Sequence, residues 1–342
     1  METELDLSGL GFTTISRLGK GGSATTQVVR DSADGRICVA KCVLLDTLSK
    51  HHQELAKQEV FLLQALRHPY VVTYCESFFM DGTATLVILT EHCEGGDLRR
   101  LILRTAGSAS RFTEDQVMMW LSQIALALQY IHGKKVLHRD LKASNLFLDK
   151  NAAVKLGDFG ISKVLEGTAD FAATLLGTPY YMSPEVCCNE LYSWKSDIWS
   201  FGCVLYELCM LKRPFESEKL PVLVHMITND LYDPIPDLYS DGLRSLLCQM
   251  LTKSAAARPF ADEILDNSYV HSYMAKLDSL APDLSCGRTP PGTPPATSRA
   301  PGVFAVTGTP PGTPPGSQKL VSCSEKSSAA ARAASGGELV LD

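Results

Sequence analysis

The sequence lacks the features of a membrane-spanning, secreted or metal-clustering protein. No apolar run approaches the roughly 18 residues that a membrane span needs, and the acidic N-terminus has no signal-peptide apolar core. The eleven cysteines form no Cys-x-x-Cys pair, which favours a reducing compartment over a disulfide framework or a zinc site. Because the net charge is −6, we expect neither a nucleic-acid nor a membrane partner.

The 342 residues do contain enough apolar material for a sizeable core. Hydrophobic content is 45% and charged content 20%, which is typical of globular domains. After Ser279 the chain is rich in Pro, Gly, Ser, Thr and Ala, which predicts a disordered tail over 280–342.

The tail contains a repeated segment, because residues 289–295 (TPPGTPP) recur unchanged as 309–315. The four Thr-Pro steps are acceptors for proline-directed kinases, and such segments favour the polyproline II helix that SH3 and WW modules bind. Drift in a low-complexity segment explains the repeat equally well.

The stretch from Val136 to Asp158 carries the strongest chemical signal. It contains His138-Arg139-Asp140, then Asn145 five residues after the Asp, and Asp158-Phe159-Gly160 after a further thirteen. Two apolar runs, 146–148 and 154–156, are joined by a polar turn and predict a β-hairpin. Such a hairpin would bring Asp140 and Asn145 close to Asp158.

These residue types suit phosphoryl transfer. Asp140 would accept the proton of a substrate hydroxyl, while Asn145 and Asp158 are hard oxygen donors that suit Mg²⁺. Lys142 lies close enough to Asp140 to reach a γ-phosphate. Each residue alone could be an ordinary turn residue, but together they match the protein-kinase signature set.

The region 12–94 is predicted to be strand-rich with one helix, and it holds candidate nucleotide contacts. Gly19-Lys20-Gly21-Gly22-Ser23-Ala24 would let backbone N–H groups approach phosphates, although alone it equally fits a hairpin turn. Val39-Ala40-Lys41 follows as a strand ending in the Lys that kinases use for the α- and β-phosphates. In a predicted helix over 48–66, Glu59 shares a face with Leu63 and is interpreted as the partner of Lys41.

A buried strand over 86–89 leads into Thr90-Glu91-His92-Cys93. In a kinase this would be the hinge, where backbone groups of Glu91 and Cys93 bond the adenine. Thr90 would lie at the back of the adenine pocket and Asp97 could reach the ribose. Without that context, the segment is simply a strand that ends in a Gly-Gly turn.

Further along, the sequence predicts supporting helices and a regulatory loop. A capping box at Thr113 begins a helix with one apolar face, and the run 197–208 predicts a buried helix whose Asp197 bonds the catalytic-loop backbone. Glu185 and Arg258 are predicted to form a buried ion pair. The long loop between Asp158 and Ser183 suggests a function, with a phosphate on Thr174 pairing with Arg139.

On these motifs, residues 12–273 resemble the eukaryotic protein kinases, specifically the NIMA-related (NEK) serine/threonine kinases. The resemblance is carried by residues 93–98, 155–165, 177–185, 195–199 and 202–209. It implies an α+β, two-lobed fold, with a β-rich N-lobe containing one main helix over 12–93 and a mostly helical C-lobe over 94–273. An N-terminal extension, 1–11, would precede the kinase domain.

The resemblance also implies ATP and Mg²⁺ as cofactors and Ser or Thr of proteins as the acceptor. Asp140, Lys142, Asn145, Lys41 and Glu59 would be catalytic, and Asn145 and Asp158 would hold the metal. The implied ATP contacts are Leu18, Gly19, Lys20, Gly21, Gly22, Ser23, Ala24, Thr26, Ala40, Lys41, Thr90, Glu91, Cys93, Asp97, Phe147 and Asp158. Glu185, Arg258 and Asp197 would be structural.

Four positions depart from the family pattern: Ala24 replaces the third loop Gly, Thr26 the usual Val and Ala143 the usual Pro, and Thr90 is small, which implies a more open back pocket. No coiled coil follows the domain, so coiled-coil self-association is not expected. The alternatives are a pseudokinase scaffold, against which the complete catalytic set counts, and a small-molecule kinase. By resemblance we expect a cytoplasmic protein, with the cytoskeleton, basal body or nucleus as further locations, acting in the cell cycle or at the cytoskeleton and cilium.

Overall fold

The computed structural model describes residues 6–20, 24–45, 60–61, 63–80, 84–158 and 179–280. Within these ranges an antiparallel sheet is followed by a mostly helical region, which confirms the predicted α+β class. The strands are β1 (Phe12–Lys20), β2 (Ala24–Asp31), β3 (Ile37–Leu44), β4 (Tyr74–Phe79), β5 (Thr85–Glu91), β6 (Gly96–Asp97), β7 (Leu146–Leu148) and β8 (Val154–Leu156).

The first five strands form one sheet in the order β1-β2-β3-β5-β4. Strand β3 shows why both faces of this sheet are apolar, since side chains alternate between faces along a strand. Cys38, Ala40 and Cys42 pack on one face, in a cluster that Leu7 and Phe12 join. Val43 packs on the other face with Leu86 and Ile88. The predicted buried strand at 86–89 is confirmed as part of β5, which contributes to both clusters.

The helical region is built around two long buried helices. The helices are α1 (Leu98–Ala106), α2 (Glu114–Gly133), α3 (Pro184–Cys187), α4 (Trp194–Met210), α5 (Leu220–Asn229), α6 (Asp241–Met250), α7 (Ala261–Leu265) and α8 (Ser268–Leu280). The predicted capping box is present at the start of α2, where Thr113 Oγ1 accepts from the backbone N–H of Gln116 and the Gln116 side chain accepts from that of Thr113. The predicted apolar face of α2 is buried, as expected.

Helix α4 begins one turn before the predicted apolar run. The backbone N–H of Ser193 donates to Ser196 Oγ at 3.1 Å, so a polar turn closes the N-terminus before the buried stretch starts. From Ser196 to Cys209 every residue of the helix is buried. A helix that is apolar nearly all round therefore forms the centre of this region.

The predicted hairpin is present as β7 and β8, and with β6 it makes a second, three-stranded sheet. Its turn is held by the carboxylate of Asp149, which accepts from the N–H groups of Asn151 and Ala153 at 2.8 and 2.9 Å. Ala152 has φ 59°, the left-handed conformation that closes the turn. The hairpin packs on α2, where Trp120 Nε1 donates to Ala152 O at 3.0 Å.

No helix within the described ranges is long and apolar enough to cross a bilayer. The nine cysteines in those ranges are all free thiols. Most of the predicted helix over 48–66 lies outside the described residues, although residues 60, 61 and 63–65 are helical. Residues 159–178 and the tail after residue 280 also lie outside them, so the predictions for Thr174 and for the repeats are not tested.

Candidate active site

The catalytic loop brings three predicted residues together. Lys142 Nζ lies 2.8 Å from Asp140 Oδ2. The side-chain amide of Asn145 donates to the backbone oxygen of Asp140 at 2.9 Å and to Oδ2 at 3.0 Å. It also lies 3.5 Å from the backbone oxygen of Asp158. The hairpin therefore brings Asp140 and Asn145 next to Asp158, as its spacing predicted.

Asp197 holds this loop in place from the start of helix α4. Its carboxylate accepts from the backbone N–H groups of His138 at 3.0 Å and Arg139 at 3.1 Å, which confirms the predicted contact. His132 and Tyr192 also bind it, at 2.8 and 2.5 Å. Burial acts to raise the pKa of Asp197, but these donors, His132 foremost, outweigh it and lower the pKa. The Asp197 carboxylate thus holds a loop in which Arg139 adopts the left-handed conformation, with φ 65°.

His138 links the loop to the hairpin, a role that the sequence did not indicate. Its Nδ1 accepts from the N–H of Asp140 at 3.3 Å, and its Nε2 faces the carbonyl of Gly157 at 3.1 Å. That pairing requires a neutral ring with the proton on Nε2, and burial lowers the pKa of His138 accordingly. Gly157 is needed here because a Cβ would lie 2.6 Å from Val72 Cγ2.

Lys41 pairs with Asp158 in this structure. Its Nζ lies 2.5 Å from Asp158 Oδ1, and Asp158 has φ 52°. The phosphate-binding Lys and the metal-binding Asp of the prediction are therefore in direct contact. The predicted partner of Lys41, Glu59, lies outside the described residues, so the Lys41 and Glu59 pair stays a prediction.

A cleft of about 480 Å³ opens between the sheet and the helical region. Most of the predicted nucleotide contacts line it. The predicted residues found in its wall are Leu18, Gly19, Thr26, Lys41, Thr90, Glu91, Cys93, Asp97, Phe147 and Asp158. Ala24 packs instead beside the cluster that contains Val43. Lys20 is the last residue of β1, and Gly21, Gly22 and Ser23 lie outside the described residues.

The assignment of Ala40 to the nucleotide site is wrong. Ala40 is fully buried on the opposite face of the sheet, in the cluster with Phe12 and Cys38. Val39 lines the cleft in its place. Because side chains alternate along a strand, the residue that shares a face with Lys41 is two positions before it, not one.

Thr90 lies opposite Val39 in the pairing of β3 with β5, at the inner part of the cleft. Beyond it the wall continues with Leu63, Val72, Tyr74 and Ile88. The hydroxyl of Tyr74 donates to Ser77 Oγ at 2.8 Å and accepts from Gln64 at 3.0 Å. Beyond Thr90, these wall residues are thus apolar apart from the hydrogen-bonded hydroxyl of Tyr74.

Glu91 is anchored by partners that the sequence did not indicate. Both of its carboxylate oxygens accept from Lys155 Nζ, at 2.8 and 3.0 Å. Its carboxylate also accepts from the N–H of Thr73 at 2.7 Å, and its own N–H donates to Thr73 O at 2.9 Å. Since that N–H is used within the sheet, the backbone carbonyl is the group of Glu91 that suits the predicted adenine contact.

Asp97, the predicted ribose contact, caps helix α1. Its Oδ1 accepts from the N–H of Arg100 at 2.9 Å, and its Oδ2 lies 3.3 Å from Arg100 Nε. Asp97 also lines the cleft. Its contact with a ribose stays a prediction, and any such contact would share the carboxylate with Arg100.

The predicted buried ion pair between Glu185 and Arg258 is confirmed. Two nitrogens of Arg258 donate to the two carboxylate oxygens, at 2.6 and 2.8 Å. Ser196 Oγ also donates to Glu185, at 2.7 Å. Burial alone would raise the pKa of Glu185, but these donors lower it. The pair joins helix α3 to the segment between helices α6 and α7.

The donor set suits Mg²⁺ bound with a nucleotide rather than a metal held by protein alone. Among the described residues, no three His, Cys, Asp or Glu side chains are grouped to hold a metal ion. Mg²⁺ is usually held by one or two carboxylates together with phosphates. Asp158 lies in the wall of the cleft, and the side-chain amide of Asn145 lies 3.5 Å from its backbone oxygen, so the two residues could offer such oxygens together. The residues present therefore fit Mg-ATP.

Comparison with known proteins gives one family. The model of the protein kinase domain matches residues 12–270. Human serine/threonine-protein kinase Nek5 is 42% identical over 266 residues, which is 78% of this chain and 37% of that protein. The mouse kinase Nek1 is 41% identical over 273 residues, 80% of this chain and 22% of that protein. Mouse Nek2 is 38% identical over 270 residues, 78% of this chain and 61% of that protein. This chain thus spans less than two thirds of the length of each of these relatives.

Proposed function

Because the chain belongs to the protein kinase family and its kinase domain is of the Nek type, we propose that it is an ATP-dependent serine/threonine protein kinase. It transfers the γ-phosphate of ATP to Ser and Thr hydroxyls of protein substrates. The single observation that carries this proposal is the cluster of Asp140, Lys142 and Asn145, with Asp158 paired to Lys41 beside it.

The chemistry follows from these groups. Mg-ATP supplies the phosphoryl group when bound. Asp140 orients the acceptor hydroxyl and takes its proton as the hydroxyl oxygen bonds to the γ-phosphorus, while the bond from that phosphorus to the β,γ-bridging oxygen breaks and ADP leaves. Lys142, 2.8 Å from Asp140, places a positive charge where negative charge builds up on the transferred group. Asn145 and Asp158 would hold Mg²⁺, and Lys41 would bind phosphate oxygens.

Lys41 is positioned to change partners between the free and nucleotide-bound states. In this structure its ammonium group neutralises Asp158 at 2.5 Å. Asn145 and Asp158 would hold Mg²⁺, whose charge would then compensate Asp158, and Lys41 could bind phosphate oxygens or Glu59 instead. The contact in this structure compensates both charges.

The enzyme is regulated, in this proposal, by phosphorylation of Thr174. Arg139 supports this idea because it is exposed and directly precedes Asp140. A phosphate adds negative charge and strong acceptor oxygens, so it orders a loop by pairing with a nearby cation. The pair of Glu185 and Arg258 fixes helix α3, which follows this segment in the chain.

The cellular role is proposed on family membership alone. Its relatives bear Nek names, which supports a cytoplasmic kinase acting in the cell cycle or at the cytoskeleton and cilium. The Thr-Pro repeats at 289–295 and 309–315 support a tail that proline-directed kinases modify and that an SH3 or WW module binds.

The test is phosphate transfer from Mg-ATP to casein and to the protein itself, with the purified full chain and its Asp158→Asn variant. Transfer by the wild type and none by the variant is expected, because the variant loses a charged metal ligand. Mass spectrometry of the wild type should find phosphate on Thr174. A folded wild type that transfers nothing, even after treatment with an upstream kinase, would favour the pseudokinase scaffold.

A further inference from the structure

Tyr192 lies in the segment before helix α4 and shares the carboxylate of Asp197 with the catalytic loop. Its hydroxyl donates to Asp197 Oδ1 at 2.5 Å, the same oxygen that accepts from the backbone N–H of Arg139 at 3.1 Å. The other oxygen, Oδ2, accepts from the backbone N–H of His138 at 3.0 Å and lies 2.8 Å from His132 Nε2. One carboxylate oxygen thus joins the Tyr192 hydroxyl to the catalytic loop.

The Tyr192 hydroxyl keeps its proton. Burial raises the pKa of Tyr192 well above its ordinary value, and the negative charge of Asp197 raises it further. The phenol therefore stays neutral through the physiological pH range and remains a donor to Asp197. A hydrogen bond from a neutral donor to a charged acceptor is shorter and stronger than one between two neutral groups. The contact between Tyr192 and Asp197 is of this stronger kind.

A second contact of the Tyr192 hydroxyl leads toward the segment before helix α3. The hydroxyl lies within hydrogen-bond reach of the side chain of Ser200, on helix α4. Ser200 is buried, and its Oγ donates to the backbone oxygen of Tyr181 at 2.9 Å. We call the three side chains of Asp197, Tyr192 and Ser200 the Tyr192 bridge. The bridge connects the catalytic-loop backbone at 138–139 with the backbone of Tyr181.

Tyr181 also contacts the catalytic loop directly. Its hydroxyl faces the backbone of Ala143, the residue that follows Lys142. The same hydroxyl faces the carboxylate of Glu207, which is buried and accepts from Arg99 Nη1 at 3.0 Å. Tyr181 is therefore fixed both at its hydroxyl and at its backbone oxygen.

The two attachments flank the catalytic residues. The Tyr192 bridge holds the loop at 138–139, immediately before Asp140, and Tyr181 holds it at Ala143. Asp140 has to lie within hydrogen-bond reach of the acceptor hydroxyl to take its proton. A small displacement of such a group lowers the rate by a large factor. The rate should therefore depend on hydrogen bonds that hold the loop on both sides of Asp140.

We propose that Tyr192 is a positioning residue for phosphoryl transfer, which acts through Asp197 and Ser200 to hold Asp140 between two fixed points of the backbone. The proposal rests on the kinase activity proposed above. Tyr192 does not line the cleft, so its effect is on the placement of Asp140 and not on the nucleotide. The bridge also makes that placement depend on residues 179–183, since a displacement of this segment is passed through Ser200 to the catalytic loop.

The test compares the full chain with four variants. Tyr192→Phe removes the hydroxyl and keeps the aromatic ring, Ser200→Ala removes the other end of the bridge, and the double variant removes both. Tyr239→Phe is the matched control, because the buried Tyr239 hydroxyl also donates to one partner, Phe112 O at 3.0 Å. That bond joins the segment between helices α5 and α6 to the start of α2, and not to the catalytic loop. For each protein, kcat and KM for ATP are measured with casein, together with the melting temperature.

Tyr192→Phe and Ser200→Ala should each lower kcat by about tenfold at temperatures well below melting. KM for ATP should change by less than about twofold, since the lost interaction does not bind the nucleotide. The double variant should lie within about twofold of the slower single variant, because both substitutions break the same connection. Tyr239→Phe should lower the melting temperature and leave kcat within about twofold of the wild type.

A folded Tyr192→Phe protein with the wild-type kcat would overturn the proposal, and so would losses of kcat that multiply in the double variant. Equal losses of kcat in Tyr192→Phe and Tyr239→Phe would also overturn it, because they would reflect general destabilisation. If Tyr192→Phe does not fold, Ser200→Ala decides: a lower kcat at unchanged KM supports the bridge, and a wild-type kcat excludes it.

Amide hydrogen exchange of the full chain gives a second readout that needs no activity. Exchange in the peptide that contains residues 138–143 should be faster in Tyr192→Phe than in the wild type and unchanged in Tyr239→Phe. If the wild type phosphorylates casein but Tyr192→Phe changes neither exchange nor kcat, the role of Tyr192 alone is overturned. If the wild type transfers no phosphate, the proposed function is overturned, and the role of Tyr192 in catalysis falls with it.

Discussion

Lys155 Nζ, on strand β8, donates to both carboxylate oxygens of Glu91, at 2.8 and 3.0 Å. The contact ties the end of β5, where the predicted adenine contacts lie, to the hairpin that carries Asn145 and precedes Asp158. Both side chains are partly buried, so the pair is less screened by solvent than a surface ion pair. The two ends of the candidate nucleotide site are thus held in one arrangement.

The first prediction concerns this tether. Lys155→Met should raise KM for ATP roughly tenfold, since a charge-assisted contact of about 1.5 kcal/mol is lost, and it should change kcat by less than about twofold. Lys155→Arg should restore KM, and Lys150→Met, at an exposed lysine in the turn of the same hairpin, should change neither constant. Steady-state kinetics at varied ATP measures both. Equal KM values for wild type and Lys155→Met would show that the tether does not position the hinge.

A second prediction separates the two faces of strand β3. Val39→Phe should obstruct the cleft and raise KM for ATP by about tenfold or more, which corresponds to ~1.4 kcal/mol. Ala40→Leu should overpack the opposite cluster and cost about 1–3 kcal/mol of stability, with KM for ATP unchanged. The measurements are ATP kinetics and thermal melting for both variants. If Ala40→Leu raised KM for ATP and Val39→Phe left it unchanged, Ala40 rather than Val39 would be the residue that faces the nucleotide.

A third prediction concerns the ion pair of Glu185 and Arg258. Arg258→Met should destabilise the domain by about 3–5 kcal/mol, because it leaves a buried carboxylate without its partner. The double variant Arg258→Met/Glu185→Gln should recover part of that loss, since no charge is then buried. Unfolding by urea measures the free energies. A single variant as stable as the wild type would contradict the burial and geometry described for this pair.

The fourth prediction is a pH dependence of stability. The folded state lowers the pKa values of Glu185 and Asp197. A carboxylate with a lowered pKa stabilises the fold above its unfolded pKa, about 4.3 for Glu and 3.9 for Asp, and this stabilisation is lost as the pH falls toward the folded value. The free energy of unfolding should therefore drop as the pH falls below about 5.

The matched comparison is Arg258→Met/Glu185→Gln, which should lose less stability over the same pH range because one of the two carboxylates is gone. Denaturant unfolding at a series of pH values measures both proteins. Parallel curves for the two proteins would mean that Glu185 does not contribute to the acid sensitivity.

The sequence predicted those features that local patterns encode. The hairpin around Asp149, the capping box at Thr113 and the approach of Asp140 to Asp158 follow from spacing and turn chemistry. The pair of Glu185 and Arg258 came from the recognised arrangement of motifs. Local patterns also located β3, and counting the alternation of side chains back from the predicted phosphate contact Lys41 places Val39, not Ala40, on the face of the cleft.

The contacts that the sequence did not predict join residues far apart in the chain. Lys155 reaches Glu91, and Arg99 reaches Glu207, across separations that no periodicity or local motif records. His138 was part of a recognised motif, yet its role depends on the position of the Gly157 carbonyl. Such pairings result from tertiary packing, which brings together opposite charges that are far apart in the sequence.

The most direct test of the central claim compares the wild-type full chain with Asp140→Asn, measuring both Mg-ATP affinity and phosphate transfer to casein. Asn keeps the size of the side chain but cannot accept the hydroxyl proton, so transfer should fall by about 10²–10⁴-fold. The affinity for Mg-ATP should stay within about threefold, because Asp140 is not one of the groups assigned to hold the nucleotide. Transfer by Asp140→Asn at the wild-type rate would contradict the account, since the cluster around Asp140 would then not be the catalytic centre.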